Sequence, residues 1–348
     1  MLNRHNGDLR IQSLLKHLSR LALAVILPSN APGVNGLWLP ALGFRTPVAL
    51  KPGHGDPWTP LRLIAAFIKA GIPSKAFGFY PSDHEGSQAL LRSRKKAMIF
   101  GSAQTVAPHL QNPSVQCYGP GHSKIIFGSD TSEQATSHLE LLEHSVLYNG
   151  GKSCTNTSTI VVTEGGEKLA RALASRMNHV LPKPLNDSQA QLAAFTDPAV
   201  AEAIDRDISR MLKQPGATDC SFELRQEPRH VVRDGLNFLL PTVIYCSDPE
   251  HPTAQVERPF PLVSVVEQKE DLIEAWLNKS LKVSAITQNE ELMKSLWQSS
   301  KIGSLVQGPY STTDTNWEQP HEGQIFELIH KTRAGSSMPR STHQMDEP

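Results

Sequence analysis

Cysteine is scarce in this 348-residue chain: Cys117, Cys154, Cys220 and Cys246 are the four, and no two form a CxxC pair. That argues against a disulfide framework or a zinc site, so no metal is expected, and it favours a reducing compartment. Net charge is missing as well. Lysine plus arginine and aspartate plus glutamate number 34 each, which leaves no bulk field to attract nucleic acid or a membrane surface. Long apolar runs are also absent, and residues 21–27, the longest near the start, are too few to span a bilayer. Residues 1–20 are charged, and no apolar h-region with a cleavage site follows them, so no secretion signal is read and the cytoplasm is the expected location. What is there, 39% apolar and 20% charged residues, fits an ordinary soluble globular chain long enough for two cores.

Short apolar runs alternate with helical patterns. Residues 8–20 put Leu9, Ile11, Leu14, Leu15 and Leu18 near helical spacing. Residues 21–27 end at Pro28-Ser29-Asn30 and read as a strand buried on both faces. Further strands are expected over 47–50, 76–80, 97–100 and 115–118, with 125–127 completing the series. Between them come a helix capped by Thr59 and closed by Gly71, one starting near Asp83, and one over 103–110. This alternation predicts a doubly wound parallel α/β sheet, where ligands bind at the strand ends. Those ends carry Ser29-Asn30, Lys51-Pro52, Gly101-Ser102 and Tyr118-Gly119-Pro120-Gly121. A second α/β unit follows a helix around 132–147. Its expected strands are 158–162, 238–245, 262–266 and 282–287, with a long helix starting near Asp197 and a shorter one capped by Asn289. Residues 214–235 read as irregular, and the composition past Gly335 as a frayed tail.

The best nucleophile is Cys154, in Asn149-Gly150-Gly151-Lys152-Ser153-Cys154. The glycines allow a tight turn and a close approach to a ligand, and Lys152 supplies nearby positive charge that favours a thiolate. Taken alone, Cys154 reads more plainly as a small buried hydrophobe.

An ordered set of motifs resembles the aldehyde dehydrogenase superfamily. Pro28-Ser29-Asn30 is similar to its Pro-Trp-Asn segment, Val48-Ala-Leu-Lys-Pro52 to its strand ending in Lys-Pro, and Ala70-Gly71-Ile72-Pro73 to its Ala-Gly-Leu-Pro. Phe100-Gly101-Ser102 is close to Phe-Thr-Gly-Ser, and the Cys154 segment to Asn-x-Gly-Gln-x-Cys. Pro241-Thr242-Val243 and Glu257-Arg258-Pro259-Phe260-Pro261 resemble Pro-Thr-Val and Glu-x-Phe-Gly-Pro. The resemblance covers about residues 20–310. It implies a helical lead-in (1–20), an NAD(P)-binding Rossmann-like domain (21–130), a catalytic domain (131–320) and a partly disordered tail (321–348).

It also implies a mechanism. Cys154 would attack an aldehyde to give a thiohemiacetal, Asn30 and the Cys154 N–H would hold the oxyanion, and hydride transfer to NAD or NADP would leave a thioester. Pro28, Ser29, Lys51, His54, Gly101, Ser102, Gly119 and Glu257 would lie on the cofactor, with Lys51 at the adenosine ribose and Glu257 at the nicotinamide ribose. Singly, Asn30 also reads as a turn residue, Lys51 as a surface lysine and Glu257 as one end of a surface ion pair.

Three departures qualify the resemblance. Tyr118 stands where the family's water-activating glutamate belongs. A tyrosine has a reference pKa near 10 and is a poor base at neutral pH. Members that pass the acyl group to coenzyme A also tend to lack this glutamate, and Gly119-Pro120-Gly121-His122-Ser123-Lys124 is similar to their Gly-rich segment, so coenzyme A is a candidate co-substrate. Glu140, Glu143 and His144 are candidate replacement bases that read better as a solvated helix face. His54 replaces the ribose-binding glutamate of many members, which makes NADP at least as plausible as NAD. Finally, the family's long N-terminal segment and dimerisation strand are not recognisable, and without them apolar surface would be uncovered. A homodimer or tetramer is the family's habit. The alternatives to an aldehyde- or acyl-thioester-converting oxidoreductase are a cysteine-dependent esterase or thioesterase and a non-catalytic remnant.

Overall fold

Strands buried on both faces organise the first half of the chain. The computed structural model describes residues 22–330 except 94, 95, 185, 317, 319, 320, 322 and 324. The expected lead-in helix over 8–20 therefore lies outside the described residues. β1 (Leu23–Ile26), β2 (Val48–Lys51), β3 (Phe77–Phe79), β4 (Ala97–Phe100) and β5 (Val115–Tyr118) form a wholly parallel sheet in the order β3-β2-β1-β4-β5. The period-2 alternation of a strand divides the core. Leu23, Val25 and Leu27 pack with Trp38, Leu50, Ile64 and Met98 on one face, while Ala24 and Ile26 meet Leu91, Ala97, Ile99 and Val106 on the other. Helices Trp58–Lys69 and His84–Ser93 supply Ile64 and Leu91 to opposite faces. This is the doubly wound arrangement the alternation predicts.

The first of those helices starts before the expected cap. Its first turn includes Trp58, and the Asp56 carboxylate accepts from the Thr59 N–H at 3.0 Å, so Asp56 does the capping instead of Thr59. Gly71, at φ +102°, does close the helix.

The second sheet has seven strands in the order β14-β13-β6-β7-β12-β11-β8. In chain order these are β6 (Ser123–Phe127), β7 (Thr157–Val162), β8 (Ala217–Asp219), β11 (Thr242–Cys246), β12 (Leu262–Glu267), β13 (Ser280–Ile286) and β14 (Ile302–Gln307); only β8 pairs antiparallel. A separate hairpin joins β9 (His230–Arg233) to β10 (Leu236–Leu239). Asp234 and Gly235 both have positive φ, as a two-residue hairpin turn requires.

Four expectations change here. The run 125–127 belongs to the second sheet, between β7 and β13, and does not extend the first. The expected strand 238–245 is two strands, broken near Pro241, which has no N–H for a ladder. The stretch 214–235 holds β8, a short helix (Cys220–Arg225) and β9. The region past 321, expected as a tail, contains a helix (Ile325–Ile329) whose Leu328 and Ile329 are buried against the first core. The long helix starts at Asp197 as expected, with that carboxylate accepting the Ala199 N–H, and Asn289 caps its helix as expected. No described helix is long and apolar enough to cross a membrane.

Candidate active site

In the first sheet the strand order reverses between β1 and β4, so a crevice opens at their carboxyl ends. Pro28, Ser29 and Asn30 leave β1 on one side of it, and Gly101 and Ser102 leave β4 on the other. Ser29 Oγ accepts from the Gly55 N–H at 2.9 Å, tying the β1 edge to the loop after β2. Lys51 ends β2 with only 5% exposure. Burial lowers its pKa, and the Asp83 carboxylate partly offsets this. His54 lies exposed on the following loop. Ser102 caps a one-turn helix, Ala103–Val106, through the Thr105 N–H.

The Cys154 loop explains its own sequence. Asn149, Gly150 and Gly151 all have left-handed backbones, with φ of 51°, 62° and 70°. Asparagine tolerates that region and glycine occupies it without penalty. A Cβ on Gly151 would lie 2.3 Å from the Pro261 nitrogen, so the loop seats directly on the Phe260-Pro261 backbone. Asn156 then fastens the loop: its amide donates to the Ser145 and Tyr148 carbonyls, both at 3.0 Å, and its oxygen accepts from the Ser153 N–H at 2.7 Å.

Two asparagines bring the strand edge to the Cys154 loop. The Asn30 amide donates to the Lys152 carbonyl at 2.8 Å, and the Asn149 amide donates back to the Asn30 carbonyl at 3.1 Å. Asn30 Oδ1 is buried without a hydrogen-bond partner among the described residues. Lys152 turns away from Cys154: its ammonium lies 5.2 Å from the Phe195 ring centre and 3.5 Å from the Ala194 carbonyl, and burial lowers its pKa. It sits near in sequence and points elsewhere in space.

Tyr118 is 4% exposed and stacks on Phe100 at 4.4 Å, which makes it a packed ring. Gly119, at φ +91°, lies so close to the Gly101 carbonyl that a Cβ would come within 2.8 Å of it. The chain then runs past Cys154: a Gly121 Cβ would fall 1.8 Å from the Cys154 oxygen, which also accepts from Ser123 Oγ at 3.0 Å.

Glu257 sits behind this turn, accepting the N–H groups of Gly121 and His122. Burial raises its pKa against those bonds and the nearby Lys124 and Arg258. Lys124 is fully buried, and its ammonium donates to the His122 carbonyl (2.8 Å), Asn278 Oδ1 (2.6 Å) and Ser280 Oγ (2.9 Å). Burial pulls its pKa down to about 7, and burial with the Lys124 and Arg258 charges holds His122 at about 4.

The candidate bases before the loop do not reach Cys154. Glu143 pairs with Arg176, while Glu140 and His144 are exposed, as a solvated face would be. These three line a cavity of about 600 Å³ with Tyr148, Asn149 and Gly150. Among the described residues, His321 comes close to the thiol, with Nε2 3.9 Å from Cys154 Sγ and its ring stacked on Tyr118 at 6.4 Å. By sequence it falls in the expected tail, 321–348. The only available signal was general: a cysteine's histidine partner is adjacent in space and not in sequence.

With this geometry in hand, the sequence matches the family profile described as "Aldehyde dehydrogenase family" across residues 22–324. The chain belongs to the aldehyde dehydrogenase family. N-succinylglutamate 5-semialdehyde dehydrogenase of Salmonella typhi is 29% identical over 163 residues, which is 44% of this chain and 33% of that protein. Among solved structures, an indole-3-acetaldehyde dehydrogenase complexed with NAD+ superposes with a TM-score of 0.73 at 18% identity, covering 85% of this chain and 61% of that one. A 3,6-anhydro-L-galactose dehydrogenase bound to NADP gives 0.74 at 18%, covering 89% and 69%. At such identity the structural likeness establishes the fold, a parallel sheet joined to a mixed one. The matched part is about a third of the Salmonella protein's length.

The residues present fit one half of a dinucleotide better than the other. A desolvated ammonium at the β2 edge, beside the crevice between β1 and β4, suits a ribose hydroxyl or phosphate. At the other half, the Glu257 oxygens are occupied by backbone N–H groups.

Proposed function

We propose that this chain oxidises a small aldehyde with NAD or NADP through a covalent intermediate on Cys154. One observation carries the reading: the Asn30 amide, at the crevice of the first sheet, meets the Cys154 loop at 2.8 Å across 122 residues of sequence. That contact supports a reading in which cofactor edge and nucleophile share one cleft. In this reading the first sheet holds the dinucleotide, with Lys51 at its adenosine end and Pro28, Ser29, Gly101 and Ser102 along the crevice. The second sheet presents the thiol. Bound there, the dinucleotide supplies the hydride acceptor. Cys154 Sγ bonds to the aldehyde carbon, and the Asn30 amide and the Cys154 N–H steady the developing oxyanion. The thioester then passes to water or to coenzyme A, and Tyr118, packed on Phe100, is not the base for either.

A second reading, a cysteine-dependent esterase or thioesterase, is favoured by the contact between His321 and Cys154. One experiment separates them: nicotinamide absorbance with a panel of aldehydes, both cofactors, and coenzyme A present or absent. Turnover that vanishes in Cys154→Ala supports the dehydrogenase, and a requirement for coenzyme A assigns the acylating branch. Ester hydrolysis with no nicotinamide reduction would sink it in favour of the hydrolase.

A further inference from the structure

The site needs a proton acceptor, and the positions where one would be sought are taken. Tyr118 is a packed ring, Glu143 is paired with Arg176, and the Glu257 carboxylate is held by the Gly121 and His122 backbone. Lys152 points to Phe195. His321 Nε2 lies 3.9 Å from the reacting sulfur, in the looser range common for a Cys–His pair before substrate binds. Its ring is braced against Tyr118, the residue at the position of the family's glutamate.

We infer that His321 is the base of this site, taking the Cys154 thiol proton on Nε2 and, later, the proton of the acyl acceptor. The second step rests on the aldehyde-oxidising reading; the first does not. In the first, the S–H bond breaks, the proton moves to Nε2, and the sulfur electron pair forms the S–C bond as the carbonyl π pair moves onto oxygen. The imidazolium then gives its proton to solvent. Once the adduct has been oxidised to the thioester by the nicotinamide cofactor, Nε2 takes a proton from the attacking water or coenzyme A thiol. The new bond forms at the acyl carbon, the C–S bond to Cys154 breaks, and the sulfur leaves as thiolate.

Among the described residues, the groups facing the imidazole are Cys154, Tyr118 and the Lys282 ammonium from β13, which itself donates to the Asp314 carbonyl. Burial and the Lys282 charge lower the His321 pKa, so the ring is neutral at pH 7 and able to accept a proton.

The test uses the protein without cofactor. Iodoacetamide alkylation of Cys154 is followed by peptide mass spectrometry from pH 5 to 9 in the wild type, His321→Asn and His321→Ala, with Cys117 as the reference thiol. Circular dichroism fixes a temperature at which all three are folded. The expected result is a fall of roughly tenfold in the Cys154 rate at pH 7, with Cys117 unchanged and the half-maximal rate moved to higher pH. Free imidazole should restore much of the rate in His321→Ala, which a merely structural role would not allow. A Cys154 profile identical to wild type, or no rescue by imidazole, overturns the inference. Acylation and deacylation with p-nitrophenyl acetate, read as burst and steady state, test the second step and should both slow in the variants. Absent aldehyde oxidation with His321-dependent alkylation would remove the dehydrogenase reading and leave the thiol step standing; the reverse pattern would remove His321.

Discussion

Substituting alanine for Gly121 should loosen the Cys154 loop through a clash that nothing in the local sequence reveals. The added Cβ would stand 1.8 Å from the Cys154 oxygen, 2.6 Å from its carbonyl carbon and 2.9 Å from its Cα. All three are backbone atoms, so no rotamer change relieves the overlap. The backbone must move, at an overpacking cost of about 1–3 kcal/mol. Movement also strains the Ser123 bond to the Cys154 carbonyl, 3.0 Å long, at about 1 kcal/mol. The sum, about 2–4 kcal/mol, corresponds to roughly 5–15 °C in Tm for a unit of this size. Gly33→Ala is the control: nothing lies within 4 Å of its added Cβ, so its stability should change by less than about 1 kcal/mol. Thermal denaturation reads stability, and Cys154 alkylation reads the loop. Equal Tm and equal Cys154 reactivity in Gly121→Ala and Gly33→Ala would refute the packing argument.

Two further substitutions probe the scaffold. Lys124 has a folded pKa of about 7 against 10.5 ordinarily. Between those values the unfolded chain binds a proton that the folded chain lacks. Stability therefore rises with pH across that window, by at most about 1.4 kcal/mol per unit, and the contribution is lost as pH falls through 7. Subtracting Lys124→Met urea-denaturation curves from wild type should isolate that slope, and parallel stability profiles from pH 7 to 10 would contradict it. Arg229, 6% exposed, bonds Asp205 and Asp219 at 2.7 Å each and Thr242 at 3.1 Å. Arg229→Ala leaves the carboxylates unpaired, so its urea midpoint should report a loss of about 3–5 kcal/mol. A loss below 1 kcal/mol would show that water replaces the guanidinium.

The sequence by itself determined the local elements. An apolar run bounded by turn residues gave β1, and Asp197 and Asn289 cap their helices because a short polar side chain satisfies orphan N–H groups wherever a helix begins. Asn149-Gly150-Gly151 carried its left-handed turn in its composition. The family motifs likewise name Cys154 and Asn30, because each motif is a short contiguous string. Some local signals were present and went unread: Asp234-Gly235 marks a hairpin, and Pro241 breaks a ladder. Other features had no local signal. Whether residues 123–127 joined the first sheet or the second depended on which strand edges stood ready to pair, and β14 became a strand by pairing with β13. Nothing local marks Lys124 as a buried charge: Asn278 and Ser280, which supply its acceptors, lie more than 150 residues away. His321 met Cys154 only because the chain returns across the first core, where Leu328 and Ile329 are buried. Helix caps and turns are satisfied within a few residues, so sequence encodes them directly. Strand partners, acceptors for a buried charge and the imidazole beside the thiol are atoms that only packing brings within reach.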